Sequence, residues 1–279
     1  MKSLYLFILV LFTSSILNAQ NFVSANIVDE QTNLPLAYVN IGIVNTSLGT
    51  VSDEKGNFRL DFTSQQDSLV FSYLGYEKQA FEIKALLLNG KVKLKPSSVM
   101  IEEISISSSN FDKEVVLGER NEKGRGKSIG FGNAQLGTEL GALIGIEKET
   151  YIKSANFVLN HAKGDSLLLR INFYSYVNKT IGEKVVSHNI YVKDKQRKGT
   201  YTIDLESYEI ILDSDILLTV EWLKDFDESG NKMMTFDTKK SRKMKGTFIR
   251  PSKTTDFIIM PFKKKYRPCI YLIGMQSSN

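Results

Sequence analysis

The side chains that could do chemistry are few, and their spacing argues against most catalytic sets. Only two histidines occur in 279 residues, His161 and His188. They lie on separate segments with neither HExxH nor HxxE spacing, so they cannot supply the clustered nitrogen ligands of a hydrolytic zinc. No G-x-S-x-G elbow precedes a helix, which leaves serine without a triad scaffold. Asp225-Phe-Asp227-Glu228-Ser229-Gly230 opens like a calcium loop, with oxygens at its first, third and fifth positions and glycine at the sixth. Its twelfth position is Phe236, where a bidentate glutamate should stand. Asp225, Asp227 and Ser229 are therefore weak candidate metal ligands. No catalytic residue and no cofactor are expected, and the chain is not expected to be an enzyme.

The most unusual composition is basic. Lys239, Lys240, Arg242, Lys243, Lys245, Arg250, Lys263, Lys264, Lys265 and Arg267 fall in one window with Lys253, and Asp256 is the single acid among them. If their loops converge, they form a positive patch for an anionic partner: an acidic glycan, a lipid phosphate or an acidic protein. Independently solvated loop ends are the simpler alternative, because surface lysine commonly serves solubility. The net charge of +5 is uneven. From Gln20 to Asn110 seven bases face ten acids, and from Phe111 onward twenty-eight bases face twenty-one acids. That split fits two separately folded units.

Export sets the compartment. Lys2, the apolar run Leu4 to Leu11, polar Thr13 to Ser15 and Ala19 read as a cleaved signal peptide over residues 1–19. No later stretch is long and apolar enough to cross a bilayer, so no transmembrane segment is expected in the mature chain. Cys269 is the lone cysteine. It has no partner for an internal disulfide, and it reads as a small buried hydrophobe. Nucleic acid is a poor partner for an exported chain.

The elements that would position these residues are strands. Val39, Ile41 and Ile43 alternate with Asn40, Gly42 and Val44; Phe58, Leu60 and Phe62 alternate with Asn57, Arg59 and Asp61. Period two means one face in the core and one in water. Between these runs, Asp53-Glu54-Lys55-Gly56-Asn57 is hairpin chemistry. Gly56 or Asn57 supplies positive φ, and Asp53 bonds its own backbone. A general acid would need a desolvated pocket, which a hairpin tip lacks. About seven short strands are expected over residues 20–108, a β-sandwich.

The same residues resemble the carboxypeptidase-like regulatory domain of exported Bacteroidetes proteins. The likeness rests on Asp29-Glu30-x-Thr32 before Leu34-Pro35-Leu36, on Val39-Asn40-Ile41, and on Gly49-Thr50-Val51-Ser52-Asp53. Gly56-Asn57-Phe58, Leu74-Gly75-Tyr76-Glu77 and the Glu102-Glu103-Ile104 strand continue it. It implies a transthyretin-like sandwich of seven or so strands and a non-catalytic accessory role, in a domain often found ahead of a TonB-dependent receptor's plug and barrel. Within these 279 residues no such barrel is expected.

Residues 109–127 are charged and glycine-rich and read as a linker. Gly130 to Gly145 holds too many glycines for a helix and reads as an edge or loop. Strands resume from Tyr151 to Ile273, so residues 128–279 are expected to form a larger jelly-roll-like sandwich. The run from Leu167 through Trp222 is similar to a second domain recurring in flavobacterial proteins. Trp222 shares its parity with Ile216, Leu218 and Val220 and is expected in that core. Tyr174, Tyr176, Tyr191, Tyr201 and Tyr208 read as ordinary strand aromatics. The function expected is a binding or accessory module of the cell envelope, periplasmic or outer-membrane associated, with an outer-membrane or periplasmic protein as partner. The alternative is carbohydrate binding by the second sandwich.

Overall fold

The computed structural model describes residues 21–62, 68–97, 111–120, 127–132, 135–162, 167–194, 198–224, 233–240, 246–260 and 266–278. The chain is nearly all β. In the amino-terminal sandwich, β1 (Asn21–Asp29), β4 (Asn57–Phe62) and β7 (Lys91–Leu94) make one sheet. The other sheet holds β2 (Asn40–Ile43), β3 (Gly49–Val51), β5 (Ser68–Ser72) and β6 (Gln79–Glu82). A short helix, α1 (Ile83–Asn89), links β6 to β7 and buries Ile83 and Leu86. Period-two burial is strict in β4, where Phe58, Leu60 and Phe62 are buried and the residues between them are exposed. With Val23, Ile27, Ile41, Leu69 and Phe71 they fill one core.

The sequence motifs turn out to be staples. Asp29 Oδ1 accepts from the Gln31 and Thr32 amides and from Thr32 Oγ1, at 2.6 to 2.9 Å, while its Oδ2 accepts from Tyr76 Oη at 2.8 Å. Burial and that bond to Asp29 push the Tyr76 phenol up to about 12. Asp53 Oδ1 accepts from the Lys55 and Asn57 amides, both at 2.8 Å, and Gly56 takes φ +77°. A Cβ at Gly56 would stand 2.4 Å from Ile27 O, so glycine is required by both dihedral and space. The acidic cluster is a turn.

The carboxy-terminal sandwich follows with β8 (Lys113–Gly118), β9 (Ile129–Gly132), β10 (Glu139–Ile144), β11 (Thr150–Ala162) and β12 (Leu167–Val177). Next come β13 (Thr180–Lys184), β14 (Ile190–Asp194), β15 (Gly199–Asp204), β16 (Ile211–Leu212) and β17 (Ile216–Trp222). The last are β18 (Met233–Phe236), β19 (Thr238–Lys240), β20 (Phe248–Arg250), β21 (Ile258–Ile259), β22 (Tyr266–Pro268) and β23 (Ile270–Gln276). One seven-stranded sheet runs β13-β12-β17-β10-β20-β21, with β14 also on β12. The other runs β8-β23-β11-β18-β9, with β15 and β16 also on β11. Trp222, Phe131, Phe157, Phe173 and Phe236 meet in the core between them. Cys269 is buried and joins no disulfide among the described residues.

Two expectations need revision. Within the stretch read as a linker, Lys113–Gly118 is a strand paired along β23, from Lys113↔Gln276 to Gly118↔Tyr271. Its Val115-Val116-Leu117 outweighed the surrounding charge. Within the stretch read as an edge or loop, Glu139–Ile144 is an interior strand between β17 and β20. Glycine suits it there: a Cβ on Gly141 would lie 2.2 Å from Leu218 O.

Candidate functional site

Strand parity builds the site. In β10, β12 and β17 one set of side chains enters the core, including Leu140, Leu169, Ile171, Val220 and Trp222. The opposite set should face water and instead is buried: Glu139, Arg170, Asn172, Thr219 and Glu221. The register places Arg170 opposite Glu221, Glu221 opposite Glu139, and Glu139 opposite Arg250. A transverse row of charge, plus-minus-minus-plus, thus crosses four adjacent strands at neighbour distance.

Each charge is met. Arg170 holds Glu221 with two parallel bonds, Nε to Oε2 at 2.9 Å and Nη2 to Oε1 at 2.7 Å. Arg250 Nη2 donates to Glu139 Oε1 at 2.6 Å. Thr219 Oγ1 donates to Glu139 Oε2 at 2.7 Å, and Asn172 Nδ2 bridges both carboxylates, at 3.1 Å to Glu139 and 2.8 Å to Glu221. Lys253, from the segment between β20 and β21, caps the pair: its Nζ donates to Glu139 Oε1 and to Tyr174 Oη, and lies 3.7 Å from Glu221 Oε2. Arg170, Glu139 and Glu221 are at most 1% exposed.

Burial opposes ionisation of both glutamates, yet the cations win. Arg250 and Lys253 hold Glu139 well below the usual carboxylate range, and Arg170 with Lys253 holds Glu221 down to about 2. Burial pushes Lys253 down to about 8, against the pull of Glu139 and Glu221. The cause is arithmetic: two arginines already balance two carboxylates, so a protonated Lys253 is a surplus buried charge. Half-buried Lys184 is also pushed well below the ordinary lysine range, by burial and then by Arg170 and Lys253.

The face is buried because the amino-terminal sandwich sits on it. Arg170 Nη1 donates to Tyr38 O at 3.1 Å, and Tyr38 holds a left-handed φ of +60°. Val51 packs with Leu168 and Leu223, and the Tyr38 ring lies 5.4 Å from that of Tyr191. Gln135 accepts from the Gly49 amide at 2.9 Å and donates to Ser47 O. Thr254 Oγ1 donates to Thr46 O at 3.0 Å. Ser252 packs so tightly that a Cβ on Gly42 would stand 2.5 Å from its Oγ. Lys253 is a poor nucleophile in this setting, since its amine is spent on Glu139 and Tyr174. The arrangement binds two domains together.

The residues singled out in the sequence take other places. Of the ten basic residues, four are described, in three environments. Lys239 and Lys240 are exposed on β19. Arg267 faces Lys239 in the ladder but is buried, and both pair with Glu119 at 3.5 Å. Arg250 belongs to the buried network. Arg242, Lys243, Lys245, Lys263, Lys264 and Lys265 lie outside the described residues, as do Asp225, Asp227 and Ser229. Among the described residues no group of three or more His, Cys, Asp or Glu could hold a metal ion. His161, on β11, and His188 are both exposed, and the His188 ring lies 5.6 Å from that of Tyr208. Among the described residues, no helix is long and apolar enough to cross a membrane.

This is an all-β protein of two joined sandwiches, and residues 23–106 match the family model of the CarboxypepD_reg-like domain. That family is non-catalytic. The chain is similar to TonB-dependent receptor SusC of Bacteroides thetaiotaomicron, 30% identical over 105 residues, covering 38% of this chain and 10% of the receptor. It is also similar to TonB-dependent receptor P39 of Formosa agariphila, 39% identical over 74 residues, covering 26% of this chain and 7% of the receptor. The matches thus span a tenth or less of the receptors' own length. A solved structure of infectious bursal disease virus, Gx strain, aligns at TM-score 0.24 and 12% identity, covering 91% of this chain and 60% of that one. A likeness at that score carries no argument.

Proposed function

We infer that the protein is a non-catalytic accessory module of the cell envelope, exported and docked to an outer-membrane protein assembly through its CarboxypepD_reg-like unit. The observation that carries this reading is the shared domain: residues 23–106 match a family that is non-catalytic, and the relatives matching this part of the chain are named TonB-dependent receptors. The buried charges support it too. They are spent on holding the second sandwich to the first, which suits a rigid adaptor. Leu88 on α1 and Leu34 are 82% and 64% exposed on the amino-terminal sandwich and are available to a partner. In-cell cross-linking followed by purification and mass spectrometry should recover a defined outer-membrane protein, and Leu88→Asp should weaken its capture. Fractionation with the cytoplasm, or cross-linking that recovers the chain alone, would overturn the reading.

A further inference from the structure

The opposite sheet of the carboxy-terminal sandwich has an outward face that the amino-terminal sandwich does not cover in the same way. A cavity of about 530 Å³ opens there, lined by Arg120, Asn156, Val158, Thr200, Thr202, Tyr271 and Ile273. That volume lies within the roughly 300–1,000 Å³ usual for small-molecule sites. Its floor is ordered by the ladder. Thr202, Asn156 and Tyr271 stand side by side on β15, β11 and β23, and Thr200 pairs with Val158 one step along.

Asn156 is the informative residue. It is 1% exposed, and its Oδ1 is a buried side-chain oxygen without a hydrogen-bond partner among the described residues. Its Nδ2 donates to Ser154 Oγ at 3.0 Å and faces Ser154 O at 3.4 Å. Turning the amide over would set Oδ1 against that carbonyl oxygen and leave the NH₂ without an acceptor in the old Oδ1 position. Either way one polar atom is left unmet, and the carbonyl favours the orientation with a free acceptor. Leaving such a group dry costs about 1–3 kcal/mol, so its retention in a cavity wall calls for a donor from outside the chain.

The rest of the lining says which donor. Exposed Thr200 and Thr202 both give and take hydrogen bonds. Two residues apart on one strand face, they stand about 7 Å from each other, a span one ring-sized ligand covers. Val158, Ile273 and Tyr271 offer apolar surface for C–H groups. Arg120 is the one charged lining residue; it lies 5.9 Å above the Tyr271 ring and is engaged by further contacts. A cation is therefore disfavoured, and an anion would find its single positive group already occupied. A ligand rich in neutral hydroxyls satisfies every wall: O–H donors for Asn156, two-way bonds for the threonines and a C–H face for the aliphatic side.

We propose that this cavity is a carbohydrate site, taking a neutral sugar through Asn156, Thr200 and Thr202. It stands apart from the docking reading, which concerns the other sandwich.

The test uses the full mature chain. Maltose, laminaribiose, mannobiose and N-acetylglucosamine serve as neutral probes, with glucuronate and galacturonate as acidic ones. Each is titrated to about 10 mM, enough to populate a millimolar site, while amide NMR shifts are followed. At least one neutral probe should shift the β11, β15 and β23 amides. Asn156→Leu should weaken that binding about tenfold or more without lowering the melting temperature, since it removes an unmet polar group. Thr202→Val, an exposed near-isostere, should weaken it several-fold and guards against a folding artefact in the first variant. No shift from any probe would overturn the proposal. So would neutral binding indifferent to both variants, or binding confined to the acidic probes and lost in Arg120→Gln.

Discussion

The two outward faces of the carboxy-terminal sandwich treat polar groups in opposite ways. On β10, β12, β17 and β20, five ionised or polar side chains are buried and satisfied, because a second domain and the segment carrying Lys253 close over them. On β11, β15 and β23, Asn156 is as deeply buried but keeps an acceptor unmet among the described residues, beside an open cavity. Charge alone therefore does not mark the place that meets a ligand. The face dense in charge is an internal joint, and the nearly neutral face is the one left incomplete.

The sharpest way to break this contrast is to orphan a charge in the joint. Arg170→Met leaves Glu221 buried without its bidentate partner and should cost about 3–5 kcal/mol in chemical denaturation. Pairing it with Glu221→Leu should recover much of that loss; an additive double variant would contradict the account.

Acid should act next. Glu139 and Glu221 have carboxyls lowered in the folded state, so the stability they contribute is complete above the usual carboxylate range. It is lost as pH falls from there through about 2, because the unfolded chain then binds more protons. Lys253 adds a second rise with pH, in the alkaline range. Its amine is lowered to about 8 when folded, so its contribution rises as pH climbs from about 8 toward the ordinary lysine value, where the charge-neutral network is favoured. Denaturation midpoints across pH should fall steeply on the acid side, and Lys253→Met should flatten the alkaline rise.

A smaller effect should come from Gly42→Val, which inserts a side chain where a Cβ would already meet Ser252 Oγ at 2.5 Å. Overpacking of this kind costs about 1–3 kcal/mol, and it falls on the joint rather than on either core. Limited proteolysis should begin to cut between the sandwiches. The smallest change belongs to the other face: Asn156→Leu should leave stability level or raise it by up to about 1 kcal/mol. A clear loss would mean that Asn156 already has its partner.

Much of the fold was legible because strand parity is written directly in the residues. Phe58, Leu60 and Phe62 are buried as their alternation requires, Trp222 is in the core, and Asp53 with Gly56 forms the turn its chemistry specified. The joint was not legible, although a signal existed. Arg170, Glu221 and Glu139 each stand in a strand with apolar residues on both parities, in LLLRINFYSY, ILLTVEW and ELGALI. Charges inside such runs indicate a sheet buried on both faces, with the polar set paired across strands. What sequence spacing could not supply was the domain that covers them: Tyr38 and Arg170 are 132 residues apart. Two arginines of the basic window were not legible for a related reason. Proximity in sequence placed Arg250 and Arg267 with Lys239, whereas strand direction turned both arginines inward.

Calorimetry of the intact mature chain tests the joint most directly. If the charged row and the Gly42–Ser252 contact lock the sandwiches into one body, the wild type unfolds in a single cooperative transition and Gly42→Val divides it in two. Two independent transitions in the wild type, unchanged by that substitution, would contradict it.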